Sequence, residues 1–251
     1  TIMRIQLVSY VLKIQSKDKV YMTADIINSS TSDLIVFSGS TLDTIEDVFK
    51  LQGLIKNKKS TALIEVSRIS LGDINSEIIN CPFIIAKGEI VNMHTFQCFA
   101  TSDSIENNIF LAETFINELE TRRKFKVKGC NCLVLLCGEN NILKNLQSNC
   151  NNVVVRIGNK SLVQRFKQVL NSSDIILNII HQPQYGNQNK LHKRREFFSQ
   201  NNRTYLSTNN CKKLSSSVKS TQYVYRNGIK IDCPEPIIDD NGRYMYRVFS
   251  L

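Results

Sequence analysis

Apolar and polar positions fall into alternating blocks of strand and helix length along the chain. Residues 5–12 are apolar and β-prone, Ser16 offers a helix cap, and Val20, Ala24 and Ile27 follow at helical spacing. Asp33-Leu34-Ile35-Val36-Phe37 is a short continuous apolar run closed by Ser38-Gly39-Ser40, which predicts a buried strand with a loop at its carboxyl end. Ile45, Val48, Phe49 and Ile55 mark a second helix, and residues 62–66 a further strand. A strand over 82–86 turns at Lys87-Gly88, and Ile90-Val91 resumes the ladder. Phe96, Cys98 and Ala100 alternate with polar neighbours, which predicts a half-buried strand. Ile109, Ala112, Phe115, Ile116 and Leu119 give a long amphipathic helix ending near Arg122-Arg123-Lys124.

The same rhythm continues in the second half. Residues 132–137 are strongly apolar and stop abruptly at Gly138-Glu139-Asn140-Asn141. Then come a strand over 153–157, a helix marked by Leu162, Val163, Phe166, Val169 and Leu170, a strand over 174–180, a basic helix over 190–200 and a strand over 204–208. Residues 222–226 and 244–249 read as aromatic-rich strands, with turns at Asn227-Gly228 and Asn241-Gly242. Strands and helices alternating in both halves indicate an α/β fold. One domain over 3–251 is the simplest organisation, with Thr1 and Ile2 outside it and 210–251 supplying C-terminal strands and a tail. A division near residue 129 is the alternative, and 215–217 the best loop candidate.

Composition narrows the picture. The 251 residues are 42% hydrophobic, enough for one large core or at most two small ones. No apolar run approaches the roughly 18 residues of a membrane span, and the start lacks the pattern of a secretory signal. The eight cysteines are Cys81, Cys98, Cys130, Cys132, Cys137, Cys150, Cys211 and Cys233. In a chain able to build its own core they are expected to be reduced thiols in a cytoplasmic protein. A zinc site from Cys130 and Cys132 with Cys137 or Cys150 lacks the usual paired spacing, so no metal and no cofactor is expected. The net charge of +10 gathers at 56–59, 122–128, 190–195 and 212–213. Without interleaved aromatics, these clusters predict solvated faces and only weak, non-specific, salt-sensitive binding of nucleic acid.

Functional groups of α/β sheets collect at the carboxyl ends of strands. Three ends stand out: Ser38-Gly39-Ser40, Cys137-Gly138-Glu139-Asn140 and His181-Gln182-Pro183. Cys137 is the sharpest candidate. It closes a buried strand, Gly138 permits a tight turn, backbone N–H groups beside the thiol could hold an oxyanion, and Glu139 could serve as base. The bland alternative is a buried cysteine acting as a small apolar residue.

Read in order, four segments resemble the nitrilase, or carbon–nitrogen hydrolase, superfamily. Residues 33–37 are similar to its D-L-I-V-F-P-E strand, and 133–139 to its nucleophile strand. Residues 173–178 resemble the A-D-L-I-L-N-P strand, and 193–209, with Asn202, Tyr205 and Asn209, its A-x-E-N…Y-x-x-x-x-N segment. The match runs from Met3 to Asn209. The resemblance implies a four-layer α-β-β-α sandwich, a homodimer through outer helices near 162–170 or the helix after His192, and a Glu-Lys-Cys triad that cleaves C–N bonds. Cys137 falls at the nucleophile. The glutamate position holds Gly39, and the lysine position, in 92–97, offers only His94 or Gln97.

Two readings follow. One is an amide hydrolase with altered chemistry at Cys137 and Glu139, with Gly39, His94, Gln97, Gly138, Asn140 and His181 as pocket candidates for a small amide. The other is a protein that keeps the fold, has lost the reaction, and binds a ligand or partner. With an apolar strand before Cys137, a carboxylate after it and no lysine, the thiol is expected to stay protonated at neutral pH and to alkylate slowly, unless folding brings in a cation such as His94 or an arginine.

Overall fold

The computed structural model describes residues 2–12, 14–70, 77–146, 152–181, 188–212, 214 and 221–251. Cys150, the Gln182-Pro183 pair and the loop candidate at 215–217 lie outside the described residues.

The first half runs β1 (Arg4–Tyr10), α1 (Ser16–Ser29), β2 (Leu34–Phe37), α2 (Ile45–Leu54), β3 (Thr61–Ser70), β4 (Glu77–Ala86) and β5 (Glu89–Asn92). The second runs α3 (Ser102–Ile105), α4 (Ile109–Thr121), β6 (Lys124–Val127), β7 (Cys130–Leu135), a 3-10 turn (Glu139–Ile142), β8 (Leu143–Asn145), β9 (Val153–Val155), α5 (Lys160–Asn171), β10 (Ile175–Ile180), α6 (Gln188–Phe198) and β11 (Thr204–Asn209). It closes with β12 (Gln222–Arg226), β13 (Ile229–Ile231), β14 (Ile237–Ile238) and β15 (Tyr244–Ser250).

Two large sheets result, ordered β14-β15-β1-β2-β3-β4-β5 and β13-β12-β11-β10-β7-β6. The strands β1, β2 and β3 are parallel, as are β7, β10 and β11. Apolar side chains of both inner faces interlock: Ile5, Leu7, Val36 and Leu63 from one sheet meet Val134, Leu177, Leu206 and Val224 from the other. The outer face of the first sheet packs on α1 and α2 through Val20, Ile27, Ile35, Phe37 and Leu51. That of the second packs on α4, α5 and α6 through Phe115, Ile116, Leu133, Phe166, Ile176 and Phe198. The architecture is therefore the expected α-β-β-α sandwich. Burial on both faces explains why β2, β7 and β10 read as continuous apolar runs.

Two expectations change on contact with the structure. The first helix is entered from Gln15, with no side-chain cap. The apolar face of α5 (Leu162, Phe166, Val169 and Leu170) is turned inward on the core, as the outer layer of the sandwich requires. The strand predicted around Phe96–Ala100 is an extended segment outside both sheets. Its backbone groups bond to side chains: Cys98 N–H donates to Glu139, and the Phe96 carbonyl accepts from Arg123.

No helix among the described residues is long and apolar enough to cross a membrane.

Candidate active site

The parallel strands β2, β7 and β10 end at the same edge of the sandwich, and their loops meet. Gly39 N–H donates to the Ile180 carbonyl at 3.1 Å, joining the two sheets at this edge. Asn210, just after β11, strengthens the junction: its Nδ2 donates to the carbonyls of Gly39 and His181, both at 2.8 Å, and its Oδ1 accepts from Ser38 Oγ at 2.6 Å. His181 is thereby held at the centre of the site by its own backbone.

The His181 ring stands beside two groups. Its Nε2 bonds Glu65 Oε2, and Cys137 lies close enough to influence the ring's proton affinity. Glu65 lies on β3, is fully buried, and takes a second bond on Oε2 from Ser40 N–H at 2.8 Å. Its Oε1 is buried with no partner among the described residues. Burial of the imidazole works against its charge. The interactions with Cys137 and Glu65 outweigh it and raise the His181 pKa to about 10, which favours the protonated ring.

Gly39 stands where it does for reasons of space. A Cβ there would lie 2.3 Å from His181 Cδ2 and 2.9 Å from Nε2. Gly138 meets two demands: its φ is +83°, and a Cβ would fall 2.3 Å from the Ala100 carbonyl oxygen. The turn after Cys137 is therefore possible only with glycine in close contact with the 95–100 segment.

Glu139 has a different occupation from the base expected of it. Its carboxylate forms a two-pronged pair with Arg123, at 2.9 and 3.0 Å, and also accepts the N–H groups of Leu136 at 2.8 Å and Cys98 at 2.9 Å. Arg123 is equally buried and additionally binds Thr95 Oγ1 at 2.6 Å. Such a satisfied pair fixes the turn after Cys137 to the 95–100 segment and leaves Glu139 no free lone pair directed at Cys137. Arg123 belongs to a charge cluster expected to be solvated; this member is interior.

The remaining candidates do not converge on the thiol. His94 is exposed, with φ of 53° and its N–H on Asn92 Oδ1. Gln97 ties Asn80 to the Phe99 carbonyl. Asn140 is buried in the 3-10 turn. The structure thus brings together Cys137, His181 and Gly39 from the predicted set and adds Glu65 and Asn210. Glu65 carried a signal in the sequence, a carboxylate inside the apolar run Ala62-Leu63-Ile64-Glu65-Val66. A cavity of about 190 Å³ borders His181 and is lined by Tyr10, Lys19, Ser40 and Asn210 among others; Lys19 there is paired to Asp43 at 2.7 Å. Among the described residues no cluster of His, Cys, Asp and Glu is arranged to hold a metal ion.

By sequence, no family model and no curated protein matches the chain. By structure, matches are extensive. A glutamine-dependent NAD(+) synthetase from Cytophaga hutchinsonii superposes with a TM-score of 0.60 at 10% identity, over 100% of this chain and 43% of that one. A variant of the Nesterenkonia AN1 amidase from the nitrilase superfamily gives 0.60 at 8% identity, over 99% and 90%. A carbon–nitrogen hydrolase from Helicobacter pylori G27 gives 0.59 at 9%, over 98% and 88%. The fold is that of the nitrilase superfamily. This nitrilase-type chain spans under half of the synthetase but nearly the whole of the two hydrolases.

Proposed function

We propose that this chain is a cysteine-dependent hydrolase or acyl transferase acting on a small amide, in which His181 and Glu65 take over the work of the glutamate and lysine expected from the nitrilase pattern. The single observation that carries the reading is the His181 ring, hydrogen-bonded to buried Glu65 and standing beside Cys137. A nucleophile, a base beside it and a third group orienting the base is the general arrangement for activating a weak nucleophile. A structural cysteine needs none of it.

In this reading Cys137 Sγ, its proton taken up by the imidazole, attacks the amide carbonyl carbon. The tetrahedral intermediate collapses as the C–N bond breaks and His181 returns the proton to the departing nitrogen, which leaves as the amine. Water, or another acceptor, then attacks the thioester with His181 as base, giving the acid or transferred acyl group and restoring the thiol. Glu65 holds the ring and balances the imidazolium charge. Solved neighbours support the chemical class: they include nitrilase-superfamily amidases, one bearing a covalent addition at its active-site cysteine. Any self-association must use surface other than the buried face of α5.

The test is acyl-enzyme trapping. Incubation with a panel of small activated amides and esters, followed by intact mass measurement, is expected to show a covalent acyl adduct on the wild-type chain, lost in Cys137→Ala and strongly slowed in His181→Ala. A panel that leaves wild type unmodified while it labels a nitrilase-type amidase would leave the fold as a binding scaffold only.

A further inference from the structure

The outer side of the nucleophile turn carries a concentration of positive charge that the proposed reaction does not use. Arg156, from the end of β9, and Arg194, from α6, both bind Asn141 in the 3-10 turn. Arg156 Nε donates to the Asn141 carbonyl at 3.0 Å, and Arg194 Nη1 to its Oδ1 at 2.7 Å. Arg194 Nε donates to Asn145 Oδ1 at 2.9 Å. Lys144 joins them from β8, its Nζ 2.6 Å from Glu106 Oε1, while Arg156 pairs with the other oxygen of the same carboxylate. Two cations thus share one carboxylate, and Arg194 is joined to Arg156 through Asn141.

Arg194 is the anomaly. Both its acceptors are neutral amides, and among the described residues no carboxylate pairs with it. Burial, with the charge of Arg156 second, lowers its pKa. A partly desolvated guanidinium beside another is unfavourable unless an anion joins them. Glu106 and Lys144 are a third to nearly a half exposed, so the cluster opens to solvent.

We propose that Arg194 and Arg156, with Lys144 at the rim, form a binding site for a phosphoryl group. Two planar donor forks and an excess of two positive charges suit a dianionic oxyanion better than a single carboxylate. The site does not use Cys137 and touches the turn after it through Asn141 and Ile142, so its failure and that of the proposed reaction are distinguishable.

Binding is read by thermal shift and calorimetry with inorganic phosphate, at ionic strength held constant with chloride. Phenyl phosphate is run in parallel to separate an organic phosphoryl ligand from the free ion, and tighter binding of one assigns the source. The expected result is saturable binding by wild type, weakened about tenfold or more in Arg194→Gln, and unchanged in the surface control Lys59→Gln. Arg194→Gln is also expected to be no less stable than wild type without phosphate, since it removes an unpaired charge. Should that variant fail to fold, exposed Lys144→Gln serves instead, with several-fold weaker binding expected. No binding by wild type up to about 20 mM, or a response equal in Arg194→Gln, Lys144→Gln and Lys59→Gln, overturns the assignment.

Discussion

A side chain at Gly39 and the imidazole of His181 cannot occupy the same space, because a Cβ at position 39 would sit 2.3 Å from His181 Cδ2. Gly39 does not adopt a positive φ, so the backbone does not demand glycine there. The missing side chain at Gly39 and the position of the imidazole are two aspects of one arrangement. Gly39→Ala is therefore expected to keep the fold and expel the ring, lowering the rate of Cys137 acylation by about a hundredfold or more, the scale of losing a positioned base. Circular dichroism and the acylation assay check both halves. An alanine variant with full Cys137 reactivity would show that ring and thiol do not cooperate.

The second expectation concerns selectivity among thiols. Burial pushes the Cys81 and Cys211 thiols up to about 11 and those of Cys98 and Cys132 to about 12. Cys137 instead stands beside the His181 imidazole, whose pKa is raised to about 10. A short iodoacetamide pulse at neutral pH, resolved by mass spectrometry, is expected to label Cys137 ahead of these four. His181→Ala should abolish the preference, and Glu65→Gln should weaken it. This reverses the slow alkylation inferred from the sequence, where the only visible charge near Cys137 was Glu139.

The runs at 33–37, 132–137 and 174–180 exposed their strands because burial on both faces forces continuous apolar sequence. Strand ends then located Cys137, Gly39 and His181. Which ends meet is another matter, since Glu65 and His181 lie 116 residues apart and nothing local to either specifies the other. The same limit hid Arg123. Between Arg122 and Lys124 it resembled a solvated charge run, yet it is interior because Glu139, sixteen positions on, receives it. The segment holding His94 and Gln97 alternates polar and apolar residues without joining a ladder, because side chains satisfy its backbone.

The Arg123–Glu139 pair is expected to be structural. Removing one partner leaves a buried charge uncompensated, at a cost of about 3–5 kcal/mol. Urea denaturation of Glu139→Gln should register most of that loss. Among molecules that remain folded, the pH dependence of Cys137 labelling should keep its shape. A Glu139→Gln chain of normal stability whose labelling profile is displaced would return Glu139 to the chemistry.

The last expectation follows from proton linkage at His181. Its pKa is about 10 in the folded chain against 6.5 for the free side chain. The folded state therefore binds the proton more tightly than the unfolded state. Stabilisation from this site is fully present below pH 6.5, where both states are protonated. Between 6.5 and about 10 only the folded state retains the proton, so stability falls steadily with rising pH, and above about 10 the contribution is gone. Denaturation midpoints across this range should decline in wild type and flatten in His181→Gln, which keeps a polar side chain but cannot titrate. Because Cys137 shares the interaction, Cys137→Ala should retain only part of the slope, and Glu65→Gln likewise. Equal slopes in wild type and His181→Gln would mean that the imidazole does not carry its charge between these two partners, and the proposed activation of Cys137 would lose its physical basis.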